Sequence, residues 1–214
     1  MIYSLENQKN ENGESCLSLT FDDGHKSDYT ITTPLLKDKD WKATFFITPS
    51  NYKQNVPYFT NKTEINYIIK DGHEIGSHTT SHKYLTELSD EEKYKEIVNS
   101  KSIIEKDFNI SVFSIAFPYS DYNSDILTFS KIHYNNIRKK TQVIKEDTNI
   151  KKSCRIIKSA KIKNKNIVLM LHGITETDNK ISEYELKIED FKELLACIED
   201  SEIKVDTFNN CNNI

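Results

Sequence analysis

Two adjacent carboxylates stand at the end of an apolar segment near the start of the chain. Residues 16–21 alternate in the manner of a β-strand, and Asp22, Asp23 and Gly24 follow directly. Asp-Gly is a common turn dipeptide, and an isolated copy favours a simple turn. Two acids at the end of a buried strand nevertheless need a metal ion or a basic partner, because burying an unpaired charge is costly. Adjacent side chains diverge in an extended chain, so one Asp can bind a metal while the other has a different role.

Two histidines four residues apart form a second candidate group. On a helix, His78 and His82 would share one face, with about 5–6 Å between their β-carbons, which suits two ligands of one ion. A solvated helix face is the commoner explanation for such a pair alone. Two imidazoles and one carboxylate, however, make a ligand set typical of catalytic zinc, which leaves a coordination position for water. His73 lies off this face and is expected to have a structural or supporting role.

Two further groups follow strand-like segments later in the chain. Phe117, Pro118 and Tyr119 come after residues 112–116, and His172 follows the apolar run at 167–171. A Pro-Tyr turn is common, and a histidine at a strand end is more often a hydrogen-bonded structural residue than a catalyst. The significance of these groups therefore depends on whether the fold brings them to the acids and histidines near the start of the chain.

Alternating strand-like and helical segments must position these groups. Strands are predicted at residues 16–21, 43–47, 74–76, 112–116, 167–171 and 204–205, with a weak candidate at 156–157. Helices are predicted at residues 29–36, 62–70, 90–108, 124–132 and 186–198. Ser89 and Glu92 have the spacing of a capping box before the third helix. Repeated strand–helix units predict an α/β fold with a parallel sheet, either open or closed into a barrel, and reactive groups at the carboxyl ends of its strands.

The composition indicates one globular domain, expected to span residues 1–214 with a core at about 16–208. Its formal net charge of −4 gives no long-range positive field, so nucleic acid is not expected as a partner. No apolar run has the length of a transmembrane segment, and the first residues lack the features of a secretory signal. The chain as written is expected to be cytoplasmic, or extracellular or at the cell surface if a signal has been removed.

The cysteines and the chain end give weaker information. Cys16, Cys154, Cys197 and Cys211 form no CxxC pair, so neither a cysteine metal site nor a dense disulfide framework is indicated, and reduced cysteines are expected. The Asn-rich segment at 209–214 is expected to be frayed.

The order of the motifs resembles the NodB-type polysaccharide deacetylases, the fourth carbohydrate esterase family. That signature runs TFDDG, HSxxH or HTxxH, a Pro-Tyr loop and a late Leu-x-His. The chain has TFDDG at 20–24, HTTSH at 78–82, FPY at 117–119 and LMLH at 169–172, and the resemblance extends from about residue 17 to about 208. The resemblance implies a distorted (β/α)7-type barrel. It also implies a metal-dependent hydrolase that removes N-acetyl groups from an N-acetylglucosamine-containing polysaccharide or oligosaccharide, by hydrolysis of a non-peptide C–N bond.

The resemblance assigns the metal and the proton transfers to individual residues. Asp23, His78 and His82 would hold one divalent metal ion, most commonly Zn²⁺, with Co²⁺ or another divalent ion as the alternative. Asp22 would be the general base that takes a proton from water, and His172 would be the general acid that protonates the departing amine.

The same resemblance implies the residues that surround the acetyl group. The backbone N–H of Tyr119 would donate to the oxyanion, and Pro118, Tyr119 and Leu171 would contact the N-acetylated carbohydrate substrate. Many members of the family carry an arginine just before the Pro-Tyr loop that orients the catalytic Asp, and this chain has none there. Arg155 is favoured as the orienter of Asp22, because it adjoins a weak strand signal, and Arg138 is the alternative. The Asp-x-x-Asp-Trp motif of the family is also missing.

Three alternatives to an N-deacetylase remain at this stage. An O-acetyl esterase acting on xylan would use the same attack by water, and no sequence feature separates amide from ester. A non-catalytic carbohydrate-binding relative is disfavoured, because the acids and histidines are intact. A metal-free relative acting on cyclic ureides would not need the complete Asp-His-His set.

Overall fold

Parallel β-strands form a curled sheet at the centre of the computed structural model, which describes residues 14–54, 56–139, 141–177 and 182–212. In this part of the chain the strands are β1 (Cys16–Asp23), β2 (Thr44–Ile47), β3 (Glu74–Ser77), β4 (Ser114–Ala116), β5 (Asn136–Arg138), β6 (Gln142–Val143), β7 (Ile167–Leu171), β8 (Ile174–Thr175), β9 (Leu186–Lys187) and β10 (Lys204–Val205). The main sheet has the order β5-β4-β3-β2-β1-β7-β6, and β10 pairs with the start of β1. β8 and β9 form a separate pair.

Helices connect most of these strands. They are α1 (Thr33–Lys37), α2 (Pro49–Lys53), α3 (Lys62–Lys70), α4 (Asp90–Phe108), α5 (Ser124–His133), α6 (Ile150–Ile162), α7 (Ile188–Asp200) and α8 (Phe208–Asn212). A π-helical turn at Asp28–Thr32 and 3-10 turns at Leu85–Glu87 and Pro118–Ser120 complete the connections. The predicted capping box at Ser89 and Glu92 is confirmed at the start of α4.

The α/β prediction is confirmed, because every strand pair in the main sheet is parallel. Among the described residues, the outer strands β5 and β6 do not pair with each other, so the curled sheet is an open, distorted barrel. The central strands are buried on both faces, as a parallel sheet between helices requires, and β7 is buried along its whole length.

The strand register brings the carboxyl ends of the central strands to one edge. Asp23 pairs with Ile47, and Ile47 pairs with Ser77. On the other side of β1, Phe21 pairs with Leu171. The histidines that follow β3 and β7 therefore emerge beside the two acids that end β1.

Two local predictions are wrong. The weak strand candidate at 156–157 lies inside α6, where Ile157 is fully buried and Arg155 is exposed, as helical periodicity requires. The expected frayed end is ordered as α8 through Asn212, and Phe208 in that helix is 1% exposed. Residues 213–214 and the first residues of the chain, where no secretory signal was predicted, lie outside the described residues.

The expectation of reduced cysteines is also wrong. Cys16 at the start of β1 is bonded to Cys211 in α8, and Cys154 in α6 is bonded to Cys197 in α7, with Cα–Cα distances of 5.5 and 5.7 Å. These partners are 195 and 43 residues apart, so sequence spacing gave no sign of either pair. No helix in the described part of the chain is both long enough and apolar enough to cross a membrane.

Candidate metal and catalytic site

The side chains of Asp22 and Asp23, at the end of β1, point in different directions. Asp22 is in the strand and is 2% exposed, whereas Asp23 has a φ of 75° and its side chain is 20% exposed. Gly24, with a φ of 73°, continues this turn, and a β-carbon there would lie 3.3 Å from the Ile47 side chain. The predicted divergence of the two acids is therefore achieved by a left-handed turn that a glycine permits.

Asp23, His78 and His82 converge on one point. Oδ1 of Asp23 lies 3.0 Å from Nε2 of His82 and 3.6 Å from Nε2 of His78. One ligand atom from each residue lies within 4.8 Å of the other two. Asp23 Oδ1 is buried and, within the described residues, has no hydrogen bond of favourable geometry. Two imidazole nitrogens and one carboxylate oxygen are the donors that a catalytic zinc site with an open position uses, so these residues fit a divalent ion.

The two histidines are not on a helix, which corrects the expectation drawn from their spacing. His78 follows β3 directly, and the loop after it turns through Thr79 and His82, with φ values of 64° and 59°. Nδ1 of His78 lies 2.9 Å from the carbonyl oxygen of Ala116. Since a carbonyl oxygen only accepts, Nδ1 carries the proton and Nε2 has a free lone pair for a metal. Nδ1 of His82 lies 3.2 Å from the Tyr119 hydroxyl.

The surroundings of these ligands set their protonation. Burial raises the pKa of Asp23, but contacts with His25 and His82 and the charge of His78 outweigh it and hold that pKa well below its usual value. Burial lowers the pKa of His78 to about 4. Burial also opposes the protonation of His82, but its contact with Asp23 raises the pKa overall. At neutral pH, Asp23 is therefore ionised and His78 is neutral, as metal binding requires.

Arg138 is the arginine that pairs with Asp22, so the preference for Arg155 is wrong. Arg138 Nη2 donates to Asp22 Oδ2 at 2.5 Å, and Arg138 is 5% exposed. Its guanidinium also stacks over the Phe46 ring, 5.1 Å from the centroid. Arg155 is exposed on α6, where its Nε donates to the carbonyl oxygen of Lys151. The three-residue strand β5, which ends at Arg138, is too short to show an alternating pattern in the sequence.

His172 enters the same pocket from the end of β7. Its Nε2 lies 4.0 Å from Asp23 Oδ2, and its ring centroid lies 5.1 Å from that of Tyr184. Burial lowers the pKa of His172, with smaller contributions from His25 and Arg138, and the charges of the two aspartates partly oppose this. Nδ1 of His172 is buried and makes no hydrogen bond within the described residues. The imidazole therefore approaches the acids through Nε2.

His25 belongs to the site and was missed by sequence reasoning. It is 5% exposed, and its Nε2 lies 3.5 Å from Asp23 Oδ2. The Tyr58 ring meets it edge-on at 4.9 Å. Gly173 leaves room for it, since a β-carbon at that position would lie 3.2 Å from His25 Nδ1. The only signal in the sequence was its place directly after Asp-Asp-Gly, which matches no metal-ligand spacing.

Asp28 is a second buried acid close to the site. It is 1% exposed, and neither of its carboxylate oxygens has a hydrogen-bond partner in the described part of the chain. Burial raises its pKa well above the usual value, and the negative charges of Asp23 and Asp22 add to this. The folded protein therefore favours the neutral form of this carboxyl more strongly than water does.

A cavity of about 560 Å³ opens over the two aspartates that end β1 and the histidines around them. Its wall is rich in aromatic side chains, namely Tyr58, Phe59, Tyr84, Phe117, Tyr119 and Tyr184. Tyr84 and Tyr119 stack with ring centroids 3.9 Å apart and are 47% and 56% exposed. Tyr119 has a φ of 57° in the turn after β4. An exposed aromatic wall beside charged groups suits a sugar ring, which has both an apolar face and polar edges.

Two residues expected to contact substrate are placed differently. Leu171 is fully buried in the hydrophobic core, and Met170, its neighbour in β7, lines the cavity instead. Pro118 is buried within its turn, and Tyr119 lines the cavity. His73 was expected to have a structural or supporting role, and its Nδ1 accepts a hydrogen bond from the Ala43 N–H at 3.1 Å.

Comparison with known proteins gives matches in both sequence and fold. The family model described as polysaccharide deacetylase matches residues 9–137. A peptidoglycan-N-acetylglucosamine deacetylase of Bacillus cereus is 36% identical over 96 residues, which cover 44% of this chain and 42% of that protein. The chain spans less than half the length of the first relatives that it matches in sequence.

Solved structures show the same fold over nearly the whole chain. The Xyl-CE4 domain of a multidomain xylanase from the hindgut metagenome of Trinervitermes trinervoides superposes with a TM-score of 0.70 at 19% identity, covering 94% of this chain and 90% of that one. A peptidoglycan N-acetylglucosamine deacetylase superposes with a TM-score of 0.69 at 19% identity, covering 98% of this chain and 91% of that one.

Proposed function

The chain belongs to the polysaccharide deacetylase family, and on this basis we propose that it is a metal-dependent hydrolase that removes N-acetyl groups from an N-acetylglucosamine-containing polysaccharide or oligosaccharide. The observation that carries the proposal is the convergence of Asp22, Asp23, His78, His82 and His172 in one cavity. These residues come from distant parts of the sequence, and they supply a metal ligand set together with an acid and a base. A non-catalytic carbohydrate-binding protein would not need them.

Asp23, His78 and His82 would hold one divalent ion, and their donor set favours Zn²⁺, with Co²⁺ as the alternative. When bound, the ion supplies Lewis acidity to the acetyl carbonyl and to the attacking water. Asp23 is ionised and His78 is neutral at neutral pH, so both are in the protonation state that metal binding requires.

Asp22 is the general base of the proposed reaction. Its Oδ2 accepts from Arg138, whereas its Oδ1 has no hydrogen-bond partner among the described residues. Oδ1 therefore has free lone pairs to take the proton from the attacking water. Arg138 fixes the orientation of the carboxylate and keeps its charge partnered in a buried position.

His172 is the general acid. Attack by water forms the new C–O bond of acetate, and the C–N bond breaks as the nitrogen receives a proton from His172 Nε2. His172 must carry this proton as imidazolium before the C–N bond breaks. The negative charges of Asp22 and Asp23 stabilise the imidazolium, and burial favours the neutral imidazole that remains after the transfer. The backbone N–H of Tyr119 would donate to the oxyanion, and Met170 would pack against the acetyl methyl group.

The substrate class follows from the cavity and from the relatives. The exposed rings of Tyr84, Tyr119 and Tyr184 line the cavity and provide apolar surface on which sugar rings can pack. The Bacillus cereus relative is a deacetylase of peptidoglycan N-acetylglucosamine, and we assign the same class of sugar to this chain. The two disulfide bonds favour an oxidising compartment, which supports action outside the cell or at its surface.

Acetate release from purified protein tests this proposal. The protein would be treated with a chelator, restored with Zn²⁺ or Co²⁺, and assayed on chitooligosaccharides, on peptidoglycan fragments and on acetylated xylan. We expect release from the N-acetylated sugars only after metal is restored. Turnover of acetylated xylan without turnover of the N-acetylated sugars would replace the proposal with an O-acetyl esterase. Full activity on N-acetyl sugars in the presence of chelator would contradict metal dependence.

A further inference from the structure

One segment of the chain carries a concentrated positive charge. Residues 151–165 contain seven lysines and arginines and no acid, although the whole chain has a formal net charge of −4. The remaining residues therefore carry a formal charge of −11. We call these seven side chains the basic face: Lys151, Lys152, Arg155, Lys158, Lys161, Lys163 and Lys165. It covers α6 and the loop that leads into β7.

The basic face is exposed and has no acidic partners among the described residues. All of its side chains except the half-buried Lys161 are exposed. In the part of the chain that the structure describes, no salt bridge involves any of the seven, whereas lysines elsewhere pair with acids, as Lys62 does with Asp107. Lys152, Arg155, Lys163 and Lys165 line a cavity of about 430 Å³ whose wall contains no acid. Such a concentration of unpaired charge favours an anionic partner.

An apolar side chain stands at the end of this face. Lys151, Arg155, Lys158 and Ile162 follow the spacing of residues on one side of a helix. Ile162 is 81% exposed, the largest value among the exposed large hydrophobic side chains of the described residues, and it lies between Lys161 and Lys163. Cationic side chains beside an exposed aliphatic one suit a lipid headgroup layer, where the charges contact anionic headgroups and the aliphatic group enters among them.

The Ile162 end of the basic face lies away from the mouth of the catalytic cavity. Lys165 precedes β7 and His172 follows it, so they lie at opposite ends of a strand about 16 Å long. The Ile162 end of α6 is therefore at the amino ends of the strands, while the acids and histidines are at the carboxyl ends. A partner bound at the Ile162 end therefore leaves the cavity open at the opposite ends of the strands.

We propose that the basic face docks the protein on an anionic lipid bilayer. The lysines around the Ile162 end, Lys158, Lys161, Lys163 and Lys165, bind the phosphate headgroups, and Ile162 inserts among them. The catalytic cavity then faces away from the bilayer toward polymeric substrate. The exposed aliphatic side chain favours a bilayer over a soluble phosphate-rich polymer, which would contact the charges alone. Docking is independent of the proposed deacetylation, because none of these residues contributes to the catalytic cavity.

Co-sedimentation of the whole protein with vesicles tests this docking. Vesicles of phosphatidylcholine with and without phosphatidylglycerol are compared, at low and at high salt. We expect binding only to the vesicles with phosphatidylglycerol, and loss of that binding at high salt. The double substitution Lys163→Glu with Lys165→Glu is expected to weaken it at least about tenfold. Ile162→Ser is expected to weaken binding without removing its salt dependence.

A double variant with the same change in net charge separates the basic face from overall charge. Lys70→Glu with Lys192→Glu changes two exposed lysines outside the face and is expected to bind vesicles as the unmodified protein does. Thermal unfolding and acetate release from soluble chitooligosaccharides are expected to be unchanged in all three variants. Equal weakening by the two double variants would overturn the proposal. So would binding of soluble polyphosphate without binding to vesicles, which would assign the face to an anionic polymer.

Discussion

Arg138 Nη2 donates to Asp22 Oδ2 at 2.5 Å, across 116 residues of sequence. Both side chains are almost completely buried, so each charge depends on the other. Arg138 ends β5 and Asp22 lies in β1, on the far side of three intervening strands in the sheet order. The orientation of Asp22, the proposed base, therefore depends on the curvature of the sheet.

Replacing Arg138 tests this dependence. We expect Arg138→Ala to lower kcat/KM for deacetylation by about a hundredfold, because the catalytic carboxylate loses the group that orients it. Arg138→Lys keeps the positive charge and should recover only part of the loss, since lysine lacks the guanidinium plane. Arg155→Ala serves as the matched control and should leave kcat/KM unchanged. Metal content should stay at the unmodified level in all three variants, and its loss from Arg138→Ala would show that the arginine supports the metal site instead.

The ligand protonation states predict how metal binding depends on pH. The pKa of His78 is lowered to about 4, whereas the pKa of His82 is raised above its usual value and that of Asp23 is well below its own. Between about pH 4 and the pKa of His82, a bound ion must therefore displace one proton, which comes from His82. We expect the metal affinity to fall about tenfold for each unit of decreasing pH in that window. Calorimetry in buffers of different ionisation enthalpy counts the protons, and release of two in this window would contradict the assignment.

Asp28 should limit stability at neutral pH. The pKa of Asp28 is raised in the folded state, so protonation of this carboxyl favours folding. This stabilisation is complete below the usual carboxyl pKa of about 3.9 and is lost as the pH rises through the raised pKa of the folded state. We therefore expect Asp28→Asn to increase the free energy of unfolding at neutral pH by at least about 1 kcal/mol. The gain should shrink as the pH falls. Chemical denaturation measures the free energy of unfolding at each pH. The control Asp147→Asn, at an exposed position, should leave that free energy unchanged.

The two disulfide bonds predict the thiol content and part of the stability. Denatured protein without reductant should contain no free thiol, and peptide mapping should recover the pairs Cys16–Cys211 and Cys154–Cys197. Replacing both members of either pair with serine should lower the free energy of unfolding by about 3–5 kcal/mol, because each bond closes a long loop in the unfolded chain. Full reactivity of four thiols would restore the expectation of reduced cysteines.

The parts of the site that the sequence predicted are those attached to long apolar strands. Residues 16–21 and 167–171 showed strand patterns, so the placement of Asp22, Asp23 and His172 at carboxyl ends followed from the general geometry of parallel sheets. The partnership of His78 and His82 was also predicted, but for a wrong reason. A helix would have aligned them through its periodicity, whereas the protein uses a loop with two left-handed residues.

The missed parts depend on contacts between segments far apart in sequence. Arg138 reaches Asp22 because the sheet curls β5 toward β1, although three strands stand between them in the sheet order. A three-residue strand has no sequence pattern from which that curvature could be predicted. His25 is enclosed because Gly173, almost 150 residues later, leaves space for it. Cys16 meets Cys211 because α8 packs at the start of β1. Local periodicity contains no information on any of these distances.

Metal stoichiometry and acetate release, measured together on Asp22→Asn and Asp23→Asn, test the central claim most directly. Asp22→Asn should bind one metal ion per chain and lose at least about a hundredfold in kcat, because it removes the base and leaves the ligands intact. Asp23→Asn should lose the metal and the activity together. Near-normal turnover of N-acetylated sugar by Asp22→Asn, or a full complement of metal in Asp23→Asn, would contradict the roles proposed for these two acids.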